Sequence, residues 1–264
     1  MKISKGIIQK PRRVMVYGRQ GVGKTSWACS APNPLVIQTE DGSGDIDVHR
    51  TERHVSLDSF MGDLRYLYEA EQGKVPYRSL VVDSFDWLEK LIHEHVAVKN
   101  GVSSVSDIPY GKGYEYALEA IGDVLQLLGL IQKKHDMNII LVSHARITRF
   151  EDPNSDSYDR YAPSLHVNSK GMGAGPLVQE WCDEVFFIHE KVRTREVDRG
   201  FGGKAIKAIG NGERVIYTEC RPAFDAKSRL KMPSEVPFVE GQGWSEYAKY
   251  FNKAETTEEK EQQA

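Results

Sequence analysis

Gly18-Arg19-Gln20-Gly21-Val22-Gly23-Lys24-Thr25 fits the pattern G-x-x-x-x-G-K-[ST] at every fixed position, and its setting restricts the fold more than any other feature. Val14-Met15-Val16-Tyr17 before it is short, apolar and β-prone. Thr25-Ser26-Trp27-Ala28 after it begins a helix. A strand, a glycine loop and a helix in that order wrap backbone N–H groups around an anion. The glycines permit the close turn, Lys24 reaches the β/γ oxygens of a phosphate chain, and the Thr25 hydroxyl can hold Mg²⁺. Gly18, Arg19, Gln20, Gly21, Val22, Gly23, Lys24, Thr25 and Ser26 are therefore candidate nucleotide-binding residues. The chain is read as binding a nucleoside triphosphate.

The rest of the chain supplies a frame for that loop. Leu35-Val36-Ile37-Gln38, Leu80-Val81-Val82-Asp83, Asn138-Ile139-Ile140-Leu141-Val142-Ser143 and Glu184-Val185-Phe186-Phe187-Ile188 are apolar runs of buried-strand type. Between them, Leu57, Phe60, Met61, Leu64, Leu67 and Tyr68 recur at helical spacing, and helices are expected over about Phe85–Val98 and Tyr114–Lys134. Strands alternating with helices imply βαβ units and a parallel sheet covered on both faces. After His144 the periodicity lapses for about thirty residues, which reads as a long functional loop. Asn211-Gly212, between Ala205–Ile209 and Arg214–Thr218, reads as a hairpin turn.

Composition excludes several classes. With 264 residues, 40% hydrophobic and a net charge of −3, the chain can bury a large core and carries no global basic field. Three dispersed cysteines, Cys29, Cys182 and Cys220, argue against a disulfide framework or a zinc site. No apolar stretch is long enough to span a membrane, and Met1-Lys2-Ile3-Ser4-Lys5-Gly6 lacks the apolar core of a signal peptide, so no membrane partner is expected and the cytoplasm is the expected compartment. His93-Glu94-His95 is not H-E-x-x-H, because Ala97 stands where the second histidine would be.

Strand ends supply the chemistry. Asp83 closes its apolar strand as a carboxylate beside the P-loop, suited to a Mg²⁺ ion with Thr25; the alternative is a cap on the next helix. Glu40 closes the second strand, where a carboxylate can polarise a water, with Asp41 its competitor. His144 emerges at the same edge, where it can touch a terminal phosphate. Lys227-Ser228-Arg229 places two cations on one side of an extended segment.

Tyr17 to Thr25, Ile37-Gln38-Thr39-Glu40, Val81-Val82-Asp83-Ser84, Tyr110-Gly111-Lys112-Gly113-Tyr114, Leu141-Val142-Ser143-His144 and Asp225-Ala226-Lys227-Ser228-Arg229 together resemble the RecA-like recombinase core. The chain is most similar to short phage-encoded RecA-like ATP-binding proteins linked to single-strand annealing. The resemblance implies an α/β fold: a RecA-like P-loop NTPase core with a mostly parallel central sheet flanked by helices and a β-rich C-terminal extension. The likeness runs from about Arg13 to Pro237; the residues themselves read as a basic arm at 1–12, the ATPase domain at 13–252 with a β-hairpin extension at about 203–238, and an acidic disordered tail at 253–264. The resemblance implies ATP and Mg²⁺ as ligands, Glu40 as catalytic base, Lys24 on the phosphates and His144 as γ-phosphate sensor. Lys227 and Arg229 would be a finger inserted into a neighbouring subunit's site. Its DNA loops would fall near Asn100–Lys112 and Arg146–Gly175, the latter offering Arg146, Arg149, Arg160 and Lys170. The function implied is a DNA-stimulated ATPase of phage-type recombination, a homo-oligomer on single-stranded DNA in the host cytoplasm. The rivals are a ring-forming helicase-like motor and an ATP-binding adaptor recruiting a single-strand-binding protein.

Overall fold

The computed structural model describes residue 3 and residues 5–6, 9–152, 154, 156–198 and 204–251. The expected tail at 253–264 lies outside the described residues. In chain order the elements begin with β1 (Arg13–Gly18), α1 (Lys24–Cys29), β2 (Pro34–Gln38), β3 (His49–Arg50), α2 (Leu57–Glu69), β4 (Ser79–Asp83) and α3 (Phe85–Lys99). They continue with α4 (Lys112–His135), β5 (Asn138–Phe150), β6 (Tyr158–Pro163) and α5 (Ala174–Trp181). The last are β7 (Glu184–Asp198), β8 (Lys204–Tyr217), β9 (Glu235–Pro237) and α6 (Gly243–Ala248).

The sheet runs β3-β2-β4-β5-β1-β7-β8-β9, with β6 joined to β5 outside that path. Strands β3, β2, β4, β5, β1 and β7 are parallel to one another, while β6, β8 and β9 are antiparallel additions. This is the expected α/β arrangement, a mostly parallel central sheet flanked by helices.

The apolar runs are continuous because both faces of the sheet are covered. In β1, Met15 and Tyr17 face the core built with Phe60 and Leu64 of α2, Leu88 of α3 and Leu128 of α4. Val14 and Val16 face the other core, with Trp27 of α1 and Trp244 and Tyr247 of α6. The helices follow their apolar stripes: α2 starts at Ser56, whose hydroxyl accepts the Ser59 N–H at 3.2 Å, and buries Leu57, Phe60, Leu64 and Leu67. Helix α4 ends on Lys133, Lys134 and His135, cations suited to the negative end of a helix dipole.

Two expectations are corrected. The stretch after His144 is not a structureless loop: β5 runs on to Phe150 and pairs with β6, from Ala145↔Pro163 to Phe150↔Tyr158. This two-stranded ribbon lies off the sheet path, so it lacks the apolar alternation that a half-buried strand would show. Asn211-Gly212 is not a hairpin turn. Glu190 pairs with Arg214 and Val192 with Gly210, so residues 211–213 form a bulge opposite Lys191. Gly212, at φ 74°, supplies the positive φ that either a turn or a bulge can use.

Candidate functional site

Register brings the sequence-predicted strand ends to one edge. Gly18 of β1 is level with His144 of β5, and Gln38 of β2 with Asp83 of β4. The loop that follows β1 turns through Gly21 (φ 77°) and Gly23 (φ 100°), backbone that side-chain-bearing residues rarely adopt. Trp27 N–H donates to the Gly23 carbonyl at 2.9 Å and starts α1. Lys24 arches back, its Nζ donating to the Arg19 carbonyl at 3.0 Å. The lysine is only 6% exposed. Burial lowers its proton affinity, and Asp83, Glu40 and Asp86 oppose that by attraction. A buried amine among carboxylates, beneath a loop of exposed Arg19, Gln20 and Gly21, suits a polyanion that brings its own charge.

Behind the loop sits a support that sequence reasoning missed. A Cβ on Gly23 would lie 2.6 Å from the Phe238 ring and 2.8 Å from Arg214 Nη1. Arg214 stacks over Phe238 at 4.3 Å and pairs with Glu240 at 3.1 Å. It stands far along the chain in β8, and no local pattern marks it.

Thr25 Oγ1 donates to Asp83 Oδ2 at 2.8 Å. Burial pushes the Asp83 carboxyl up to about 6, against the Thr25 hydrogen bond that pulls it down. The capping alternative does not apply to this side chain, since Ser84 is the N-cap of α3 and the Asp83 carboxylate is turned to Thr25. The pair fits Mg²⁺: two hard oxygens from the chain leave the other positions to phosphate and water. Gly42 passes close by, its Cβ position 3.6 Å from Asp83 Oδ2, and the adjacent buried Ser43 hydroxyl makes no hydrogen bond among the described residues.

The end of β2 is stitched to the end of β4. Thr39 and Glu40 N–H both donate to the Asp83 carbonyl, at 2.8 and 3.3 Å. Thr39 Oγ1 donates to the Ser84 carbonyl at 2.7 Å and accepts the Ser84 N–H at 2.9 Å. Glu40 thereby lies beside the site, with Oε1 4.0 Å from His144 Nδ1. Asp41 turns outward to Arg53 at 3.5 Å, so of the two candidates Glu40 is the one held at the site. His144 is gripped by Asp86, whose oxygens take its backbone N–H and its Nδ1, each at 3.0 Å. That hydrogen bond raises the proton affinity of His144, with burial opposing.

Lys227 and Arg229 are not at this edge. Lys227 backbone pairs with Val185, its Nζ lies 3.4 Å from the Glu180 carbonyl, and Arg229 pairs with Asp183 at 3.4 Å, where β7 begins. The four cations after His144 also separate. Arg149 and Lys170 are exposed, Arg149 lying 3.5 Å from Asp159. Arg146 interacts electrostatically with Glu89 of α3. Arg160 is buried, ion-paired with Asp225 and 4.9 Å from the Phe150 ring, so its guanidinium is committed inside the protein and is corrected as a nucleic-acid contact.

Glu89 holds the segment after β6: both its oxygens accept the His166 N–H at 3.0 Å, and His166 stacks on Tyr114 at 4.2 Å. Burial pushes the Glu89 carboxyl up from 4.5 to about 7, with the His166 N–H and Arg146 opposing. As pH rises from 4.5 towards 7 the unfolded chain loses this proton before the folded one, so Glu89 lowers stability across that window. Glu89→Gln, which keeps one acceptor oxygen, is expected to match wild type at pH 4.5 and to be more stable by about 2 kcal/mol at pH 8. Thermal unfolding at the two pH values checks this; a variant less stable at pH 8 would show that the folded state needs the ionised carboxylate.

A family model described as "AAA domain" matches residues 10–230. No curated protein matches the chain. Among solved structures, the RadB recombinase is 12% identical with a TM-score of 0.47, covering 87% of this chain and 88% of that one. A KaiC-like protein from the hyperthermophilic archaeon Pyrococcus horikoshii OT3 is 13% identical with a TM-score of 0.40, covering 88% and 87%. Among the described residues no helix is long and apolar enough to cross a membrane. The family match takes in the phosphate loop, all the parallel strands and the Lys-x-Arg segment: the chain belongs to the AAA domain family and is an ATP-binding P-loop ATPase.

Proposed function

We propose that this ATPase serves phage-type DNA recombination, acting as a homo-oligomer on single-stranded DNA. The observation that carries the reading is the continuity of β5. One strand brings His144 to the nucleotide edge and runs on, without a break, into the ribbon that exposes Arg149. The segment after β6 then leads to Lys170. A change at the phosphate end of β5 therefore has a short, rigid route to a surface that offers cations, with Phe150 and Tyr158 for base stacking.

In this reading Lys24 binds the β/γ oxygens, Glu40 orients and deprotonates the attacking water, and His144 registers the terminal phosphate. Thr25 and Asp83 would hold Mg²⁺, which neutralises phosphate charge when bound. Lys227 and Arg229 would complete a neighbouring subunit's site, and the ATPase domain would extend over 13–252.

ATP hydrolysis with and without single-stranded DNA tests the coupling. Stimulation is expected, fading as salt rises. If Arg149 and Lys170 each meet one phosphate, the log–log salt slope of binding should be about −1.4 per subunit, and each alanine substitution should reduce it by about 0.7. Hydrolysis indifferent to DNA would count against the recombination role and favour an adaptor; directional unwinding would favour a helicase-like motor.

A further inference from the structure

We propose that Asp86 is the positioning residue of the phosphate sensor: it fixes His144 with Nδ1–H tied to its carboxylate, so that Nε2–H donates to the terminal phosphate and Glu40 is left to the water. The inference rests on the ATPase reading of this site and assigns a role to a side chain outside the P-loop, the metal pair and the base.

The geometry is specific. Asp86 stands in the first turn of α3, where an acidic residue ordinarily serves its own helix. Here the carboxylate reaches across to β5, one oxygen on the His144 backbone N–H and the other on the ring, each at 3.0 Å. The strand end and the imidazole are thus fixed by a single group that is itself 5% exposed. Glu40 competes for the same ring nitrogen but lies 4.0 Å away, beyond hydrogen-bond distance. The charged groups near the ring are Asp86 from α3, Glu40 after β2, Lys24 from α1 and Asp83 from β4.

The chemistry follows from the ring's two nitrogens. With Nδ1–H given to a carboxylate, a neutral imidazole would present only a lone pair at Nε2 and repel a phosphate oxygen. The same carboxylate favours the imidazolium, which presents N–H at both nitrogens. Asp86 itself stays ionised: burial works against this, and the hydrogen bonds and charge of His144 outweigh it. Without Asp86, the nearest carboxylate for Nδ1 is Glu40, and an ion pair there would occupy the base.

The test compares wild type, Asp86→Asn, His144→Ala and the double variant. Affinities for Mg²⁺ with ADP and with a non-hydrolysable ATP analogue are measured beside single-turnover hydrolysis. Asp86→Asn is expected to reduce the preference for triphosphate over diphosphate about 10-fold or more. In the His144→Ala background it should cost nothing further, because its action passes through that ring. Additive losses, or an unchanged preference, would overturn the proposal. A measurement that needs no variant is the ¹⁵N spectrum of the His144 ring in the wild-type protein. A protonated, hydrogen-bonded Nδ1 is expected, and an unprotonated Nδ1 would overturn the proposal. Failure of the broader reading looks different: wild type would not turn over ATP, while the ring signature and the Asp86-dependent triphosphate preference would persist.

Discussion

Lys24→Ala is expected to abolish measurable ATP turnover, lowering kcat/KM by at least about 10³-fold, while the protein remains folded. The rate effect follows from where the amine is held. Lys24 is 6% exposed and its Nζ rests on the Arg19 carbonyl at 3.0 Å, inside the loop that would enclose the phosphates. A buried cation in that place acts on charge that develops on the oxygens, where little water competes. The stability effect is expected to be small, because two terms oppose each other. Burial disfavours the ammonium, so its removal relieves a desolvation cost; Asp83, Glu40 and Asp86 attract it, so its removal leaves their repulsion uncompensated. A melting temperature within a few degrees of wild type is therefore expected alongside lost phosphate release and weakened ATP binding in calorimetry. Undiminished hydrolysis in a folded variant would remove the phosphate loop from the mechanism.

What was legible in the sequence is what strong local patterns encode. The parallel core was readable because strands buried on both faces must be apolar without interruption, and Asp83 and His144 could be placed at one edge because parallel strands share a direction. Arg160, Asp86 and Glu89 share a reason for escaping notice: the deciding partner lies far along the chain. Arg160 looked like one of four surface cations, but Asp225 and the Phe150 ring turn it inward. Asp86 and Glu89 carry no local signal, being acids in the first turns of a helix, where such residues are common. Only the packing of α3 against β5 and the segment after β6 shows that one holds His144 and the other His166. Asn211-Gly212 misled for a different reason, since a positive-φ residue serves a bulge as well as a turn.

Arg229→Ala is expected to cut kcat by about 10³-fold while sparing ATP binding and stability. Within one subunit, Arg229 is badly placed to act on the nucleotide. It pairs with Asp183, next to the start of β7, where Val14 is level with Glu184; the phosphate loop begins four residues further on, where Gly18 is level with Ile188. At about 3.3 Å per residue that separation is roughly 13 Å along the sheet before any side chain is considered. Within its own subunit Arg229 pairs with Asp183; in the proposed reading it works on another copy. The anchor role is weak, since the Arg229 side chain is 56% exposed. Asp183 also keeps Lys10 at 3.1 Å and the Arg13 N–H at 3.1 Å. With those partners kept, the buried Asp183 carboxylate is not left unpaired when Arg229 is removed, so the loss of stability is expected to be small. If Arg229 completes a neighbour's site, mixing Arg229→Ala with Lys24→Ala subunits should restore turnover. Each mixed interface can then join an intact phosphate loop from one variant to an intact arginine from the other. Equal loss of ATP binding and kcat in Arg229→Ala, or a mixture as inactive as its components, would return Arg229 to the ion pair it makes with Asp183.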